Sequence, residues 1–322
     1  MKRILITGAT GQIGSELTLV LRERYGSDNV IAAGHTRAID ETLLKSGPCC
    51  TIDCKEIDGI AEMVRNYKVD TIYHLAAILS ARAEQDPQLA WNVNMLGLYN
   101  VLEVAREYGC AVFTPSSIGS FGPTTPLDNT PQDTVQRPNT MYGVTKVAGE
   151  LLCDYYYKRF GVDTRGVRYP GLISYKTLPG GGTTDYAVEI YYEAIKQKKY
   201  TCYLKKGTYL DMMYMPDALK AAVDLMEANS DKLKHRNAFN VTAMSVAPEN
   251  IADEIRKTIP EFVLDYNIDP LRQAIADSWP NNMDDSAARK EWGWQPEYDL
   301  ESMTKDMLEK LSEKLGLEGA GR

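Results

Sequence analysis

Tyr142 and Lys146 stand four residues apart, so on a helix their side chains share one face, a turn from each other. A free phenol ionises only near pH ~10 and is a poor base at neutrality. An ammonium held within a few ångströms stabilises the phenolate, and an oxidised nicotinamide beside it would act in the same direction. The pair therefore has the makings of a general base for an alcohol. Y-x-x-x-K also recurs by chance in a chain with 20 tyrosines, where it is only a packed tyrosine near a surface lysine, so context must carry the reading. Ser116 and Ser117 supply some of it. They follow the apolar run Cys110 to Pro115, and a hydroxyl at the C-terminal edge of such a strand can hold a substrate's alcohol oxygen near the phenolate.

A second group could hold a nucleotide. Gly8, Gly11 and Gly14 are spaced by three, between the apolar run Ile4–Ile6 and an amphipathic stretch bearing Leu17, Val20 and Leu21. That order reads as strand, tight turn and helix. Glycines let the backbone approach a ligand closely, and the free N–H groups and dipole of the helix favour a pyrophosphate. Gln12 and Ile13 open that helix. The more usual fingerprint is G-x-G-x-x-G, and a glycine-rich turn alone is often only a turn. Leu75, Ala76 and Ala77 end another apolar run with small residues suited to lie beside a cofactor, and Asp53 could accept from an adenine amino group.

The elements that must position these groups alternate through the first half of the chain. Strands are expected at Ile4–Ile6, Asn29–Ala33, Thr51–Asp53, Thr71–Ala77, Cys110–Pro115 and Thr164–Tyr169. Helices are expected after the first glycine turn, over Glu56–Tyr67, from Asp86-Pro87 to Tyr108, and over Tyr142–Phe160. This is an α/β chain of Rossmann type, a doubly wound parallel sheet with crossover helices. After Pro170-Gly171 the alternation breaks down. A loop over 179–185 precedes a helix Tyr186–Lys198, Asp217 is expected to cap a helix through Ala228, and further helices fall at Pro248–Ile259 and Leu300–Leu315. The division expected is a dinucleotide-binding domain over 1–170, with returning segments around 210–242. A smaller C-terminal substrate-binding lobe is expected from 171–209 and 243–322.

Composition limits the function classes. The chain has 322 residues, 44% of them hydrophobic, enough for a large core. Its formal charge of −8, with both signs interspersed, leaves no basic footprint for nucleic acid. No apolar run approaches the ~20 residues needed to span a bilayer, and the N-terminus enters a strand at once, so neither membrane nor signal peptide is expected and the default location is cytoplasmic. Cys49, Cys50 and Cys54 are close in sequence, but paired C-x-x-C spacing is absent and the chain has three histidines. They read as small apolar residues of a reducing compartment rather than a metal site.

Taken together, Thr7-Gly8-x-x-Gly11-x-x-Gly14, His74-Leu75-Ala76-Ala77, Ser117, Tyr142-x-x-x-Lys146 and Trp292-Gly293-Trp294-x-Pro296 resemble the extended short-chain dehydrogenase/reductase superfamily. A narrower resemblance rests on Leu75–Ala81, Arg168–Tyr175, Gly182–Ile190, Met213–Ala218 and Phe239–Ala243. These stretches are similar to the short-chain type L-threonine 3-dehydrogenases, and the likeness runs from the first strand to the last helix. It implies oxidation of the threonine β-hydroxyl by NAD to 2-amino-3-oxobutyrate, without a metal, in a homodimer formed through the helix bearing the catalytic pair. The catalytic positions fall on Ser117, Tyr142 and Lys146, with serine where relatives often have threonine. Substrate contacts fall on Ser80, Gly182, Thr183, Thr184 and Trp279 beside Ser117 and Tyr142, and the 180–185 stretch is expected to close over the amino acid. Asn94, Tyr169 and Arg37 join the cofactor positions named above.

One departure bears on the cofactor. Relatives generally carry an Asp after the second strand to bind the ribose hydroxyls, and here that place is Gly34, followed by His35, Thr36 and Arg37. A missing carboxylate with an arginine nearby is what an NADP site would show, whereas Asp53 and the backbone suffice for NAD. NAD is the expectation, NADP the alternative. Two other classes stay open: a sugar-nucleotide epimerase or dehydratase, and a non-catalytic dinucleotide sensor.

Overall fold

The computed structural model describes residues 1–178, 180 and 182–316. Its strands are β1 (Ile4–Thr7), β2 (Val30–Gly34), β3 (Cys49–Thr51), β4 (Thr71–His74), β5 (Ala111–Phe113), β6 (Ser116–Ser117), β7 (Thr164–Arg165) and β8 (Val167–Tyr169). There follow β9 (Gly171–Ile173), β10 (Lys199–Cys202), β11 (Leu210–Tyr214), β12 (Phe239–Asn240), β13 (Met244–Val246) and β14 (Val263–Tyr266). The central sheet runs β3-β2-β1-β4-β5-β7 with every pair parallel. The order reverses beside β1, where doubly wound sheets open a crevice for ligands.

Side-chain alternation explains why the sheet is covered on both faces. Leu5, Ile31, Ala33, Ile72 and Val112 pack against helices Ile57–Tyr67, Gly97–Tyr108 and Met141–Phe160. Ile4, Ile6, Val30, Ala32, Tyr73 and Phe113 pack against helices Gln12–Tyr25 and Met215–Glu227. Strands buried on both faces read as continuous apolar runs, which is how they are written here.

The helix from Asp86 starts as expected, with its carboxylate accepting from Leu89 N at 2.9 Å. It then passes through a π segment, Asn92–Leu96, before Gly97–Tyr108 and a left-handed Gly109. The expected cap at Asp217 is corrected. That helix begins at Met215, and the Asp217 carboxylate instead accepts from Glu297 N and Tyr298 N at 2.8 and 3.1 Å. Pro216 opens the first turn, leaving a buried carboxylate free to tie down a distant segment.

Two strand ends bend away from the central sheet. β6 and β8 pair with each other, and β8 also pairs with β12, so Ser116 and Ser117 lie past the edge of β5. A third core gathers helices Tyr186–Gln197, Pro248–Arg256 and Leu300–Leu315. β11 joins the two regions, with Met213 in the sheet core and Met212 and Tyr214 in the third.

Candidate active site

The glycine turn is dictated by contact. Gly8 has φ +73°, and a Cβ there would lie 2.6 Å from Ala76 N; one on Gly14 would lie 2.8 Å from Ala9 Cα. Gly11 N donates to Gly8 O at 3.0 Å and the helix starts at Gln12, with no side chain capping it. Its first N–H groups are thus available to an anion. Gln12 and Ile13 line a cleft together with Leu75, Ala76 and Ala77.

The same cleft holds Ser117, Tyr142 and Lys146. Thr140 caps the helix Met141–Phe160 by accepting from Gly143 N at 3.1 Å, which sets Tyr142 in its first turn. The Tyr142 ring lies over Gly119, where a Cβ would come within 3.0 Å of Cδ1 and Cε1, and packs with Ala83 and Ala90. Lys146 Nζ donates to Pro115 O at 2.7 Å and sits 5.4 Å from the Tyr142 ring centroid. Ser117 Oγ accepts from Gly119 N at 3.1 Å. A hydroxyl, a phenol and an ammonium from two elements therefore converge.

His74, behind them, shares a 2.8 Å hydrogen bond between Nδ1 and Thr7 Oγ1. Burial, with the charge of Lys146 added, pushes it down to about 3, so the imidazole is neutral at physiological pH. Asn94 is spent on structure. Its Oδ1 accepts from Ile78 N, and its Nδ2 donates to Ile78 O and Thr145 Oγ1. The Tyr169 hydroxyl donates to Ala218 O at 2.5 Å, and burial raises it well above the ordinary phenol range. Both residues line the cleft.

The same cleft brings together Ser80, Gly182, Thr183, Thr184 and Trp279 from distant parts of the chain. Gly182 N donates to Asp185 Oδ2 at 2.6 Å. Thr183 Oγ1 is buried with no partner among the described residues, and Thr184 Cγ2 lies 2.9 Å from where a Gly171 Cβ would be. Gly181, part of the expected closing stretch, lies outside the described residues, as does Pro179.

Arg37 and Asp53 stand apart from this lining, after β2 and β3. Arg37 is exposed. Asp53 accepts from Lys55 N at 3.0 Å, with Lys55 Nζ at 3.3 Å and His35 Nε2 at 3.5 Å. Partial burial pushes its carboxyl up, but those hydrogen bonds and charges together hold it below the usual range. All six cysteines are free thiols, and among the described residues no three His, Cys, Asp or Glu side chains are grouped to hold a metal. No helix among them is long and apolar enough to cross a membrane.

A group not anticipated from the sequence lies deeper. Glu150 is buried and lines the same cleft, hydrogen-bonded to Ser116 Oγ and paired with Arg168 Nη2 at 2.8 Å. Its signal was the four-residue step Tyr142, Lys146, Glu150, which puts all three on one helix face.

A doubly wound parallel sheet, a glycine turn before an uncapped helix, and a phenol–ammonium pair beside it define a Rossmann-type nucleotide-dependent protein. The chain belongs to the NAD dependent epimerase/dehydratase family, whose model matches residues 4–242. An uncharacterized epimerase/dehydratase from Staphylococcus haemolyticus is 57% identical over 314 residues, covering 98% of this chain and 99% of that one. A solved L-threonine dehydrogenase from Clostridium difficile is 63% identical with a TM-score of 0.95, covering 98% of both chains. A monomeric L-threonine 3-dehydrogenase from a metagenome is 44% identical with a TM-score of 0.92, covering 97% of this chain and 99% of that one.

Proposed function

We infer that the protein is an L-threonine 3-dehydrogenase, oxidising the threonine β-hydroxyl to 2-amino-3-oxobutyrate with a nicotinamide dinucleotide. The observation that carries this is the 63% identity, over 98% of the chain, to a solved L-threonine dehydrogenase. The convergence of Ser117, Tyr142 and Lys146 in one cleft supports it.

The cradle where Cβ atoms on Gly8 or Gly14 would collide, and the uncapped helix after it, fit a dinucleotide pyrophosphate. Gly8, Gly11, Gln12, Ile13 and Gly14 would hold that part, with Leu75 to Ala77 beside the nicotinamide. The bound dinucleotide supplies a hydride acceptor. Tyr142 takes the hydroxyl proton, the Lys146 ammonium favours its phenolate, and Ser117 holds the same oxygen. Ser80, Gly182, Thr183, Thr184 and Trp279 enclose the zwitterionic end, and closure of the 180–185 stretch excludes water.

The preferred dinucleotide is NAD. Arg37 is exposed, and the Asp53 carboxylate stands just past β3, the strand paired with β2. Residues 1–170 with 210–242 form the nucleotide-binding part and the remainder the substrate lobe. Val144, Leu151 and Tyr155 form an exposed apolar stripe on the helix of the catalytic pair, with Trp91 and Tyr99 also exposed, on the helices Pro87–Trp91 and Gly97–Tyr108, and such a stripe suits a homodimer. The reaction needs no metal, and the cytoplasm suits a chain with six free thiols.

The test is reduction of NAD or NADP by the purified protein with L-threonine, before and after exhaustive chelation. Threonine-dependent reduction, faster with NAD and unchanged by chelation, is expected. If threonine gives none while a UDP-sugar raises the melting temperature of the NAD-bound protein, the site belongs to a sugar nucleotide instead.

A further inference from the structure

Three buried polar side chains behind the reacting groups have no part in the chemistry above. Glu150, Arg168 and Ser116 are each at least nine-tenths buried. Glu150 lies one turn beyond Lys146 on the helix Met141–Phe160. Arg168 belongs to β8, directly opposite Ser116 of β6 in the strand register. Their bonds all meet at the Glu150 carboxylate. Arg168 Nε donates to its Oε1 at 3.1 Å and Nη2 to its Oε2 at 2.8 Å, Gln136 Nε2 donates to Oε2 at 2.9 Å, and Ser116 Oγ donates to Oε1. Arg168 Nη1 is anchored in turn on Gln132 O and Asn240 Oδ1, at 2.8 and 3.0 Å.

The position of this cluster is what matters. Ser116 sits between the two atoms by which its strand serves the site: Pro115 O, which receives the Lys146 ammonium, and Ser117 Oγ. The helix supplies Tyr142 and Lys146, β6 and the residue just before it supply Ser117 and Pro115, and the Ser116–Glu150 bond ties one to the other a turn away. Bidentate guanidinium–carboxylate pairing fixes orientation as well as distance, so the carboxylate cannot swing with the helix surface.

We propose that Glu150, held by Arg168, is a positioning residue that sets the spacing of Ser117 from Tyr142 and Lys146 through its hydrogen bond with Ser116. The proposal rests on the roles assigned to those three residues. A misplacement of about 1 Å in a reacting group can cost on the order of 10²-fold in rate, so a small slip of β6 should be read in kcat.

Ser116→Ala is the decisive variant, because it cuts the tie yet leaves Glu150 paired with Arg168 and Gln136. Its kcat for threonine should fall about tenfold to hundredfold, while KM, the Kd for NAD and Tm stay near wild type. Ser116→Thr, which keeps the hydroxyl, should recover most of the loss. Amide exchange of residues 116–119 in the NAD-bound protein should quicken in Ser116→Ala, and this readout does not depend on what the substrate is. A variant with wild-type kcat and unchanged exchange overturns the proposal. A parallel loss of Tm, NAD affinity and activity does so too, since it marks plain structural support. Failure of the wild-type protein to oxidise threonine would remove the assigned reaction, with the exchange comparison still deciding whether the tie holds the strand.

Discussion

The two walls of the cleft are built in opposite ways. The wall proposed for the nucleotide is local. Gly8, Gly11, Gln12, Ile13 and Gly14 fall within seven consecutive residues, and their shape follows from glycine contacts with Ala9 and the neighbouring strand end at Ala76. The wall proposed for the amino acid is assembled from Ser80, the adjacent Thr183 and Thr184, and Trp279, with roughly a hundred residues between Ser80 and the threonine pair and about as many again to Trp279. A wall of backbone N–H groups suits a phosphate chain of fixed chemistry, whereas a wall of separate side chains can be exchanged one at a time. The first should fail abruptly when its backbone is disturbed, and the second by degrees.

The largest effect expected lies where the walls meet. Tyr142→Phe removes the proposed proton acceptor and should lower kcat by ~10²–10⁴-fold with the NAD Kd retained by calorimetry. Near-normal turnover would take the phenol out of the mechanism. Gly14→Ala probes the local wall. Its Cβ would press on Ala9 Cα at 2.8 Å and on the Gly8 carbonyl, and overpacking of this kind costs ~1–3 kcal/mol. The Kd for NAD should rise about tenfold to hundredfold, with little further change in KM for threonine at saturating NAD. An unchanged Kd would mean that the turn is not the phosphate cradle.

Acid should also act on the nucleotide side. His74 titrates at about 3 in the fold against 6.5 when free, so between those values the unfolded chain binds a proton that the native chain refuses. Its contribution is complete above pH 6.5 and is lost as pH falls, by ~2 kcal/mol at pH ~5. His74→Gln should flatten that part of the stability curve in denaturant titrations, and an identical slope would assign the acid sensitivity elsewhere. The smallest effect is expected on the dispersed wall. Thr184→Ala removes one hydroxyl, worth ~0.5–1.5 kcal/mol, and should raise KM for threonine a few-fold without altering NAD binding. If KM and kcat both stay put, Thr184 is not part of the amino-acid wall.

The same contrast divides what could be read from the chain alone from what could not. The parallel sheet, the glycine turn and the pairing of Tyr142 with Lys146 were legible because each is a short-range pattern: an apolar run, a three-residue glycine step, one helical turn. The last helix was legible to its ends, Leu300 and Leu315, because its apolar stripe has a helical period throughout. Asp217 was misread as a cap because nothing near it in sequence reveals that Glu297 and Tyr298 supply its donors. The short helices Pro270–Ala276 and Ser286–Trp292 escaped notice because so few turns display no clear periodicity. Glu150 was one more polar residue on a helix until the fold buried it against Arg168 and Ser116, eighteen and thirty-four residues away. Local steric and periodic rules determine strands, turns and helix faces from neighbouring residues alone. Which buried polar groups become partners depends on long-range packing, because desolvation leaves a carboxylate inside the protein only where the completed fold brings donors to it.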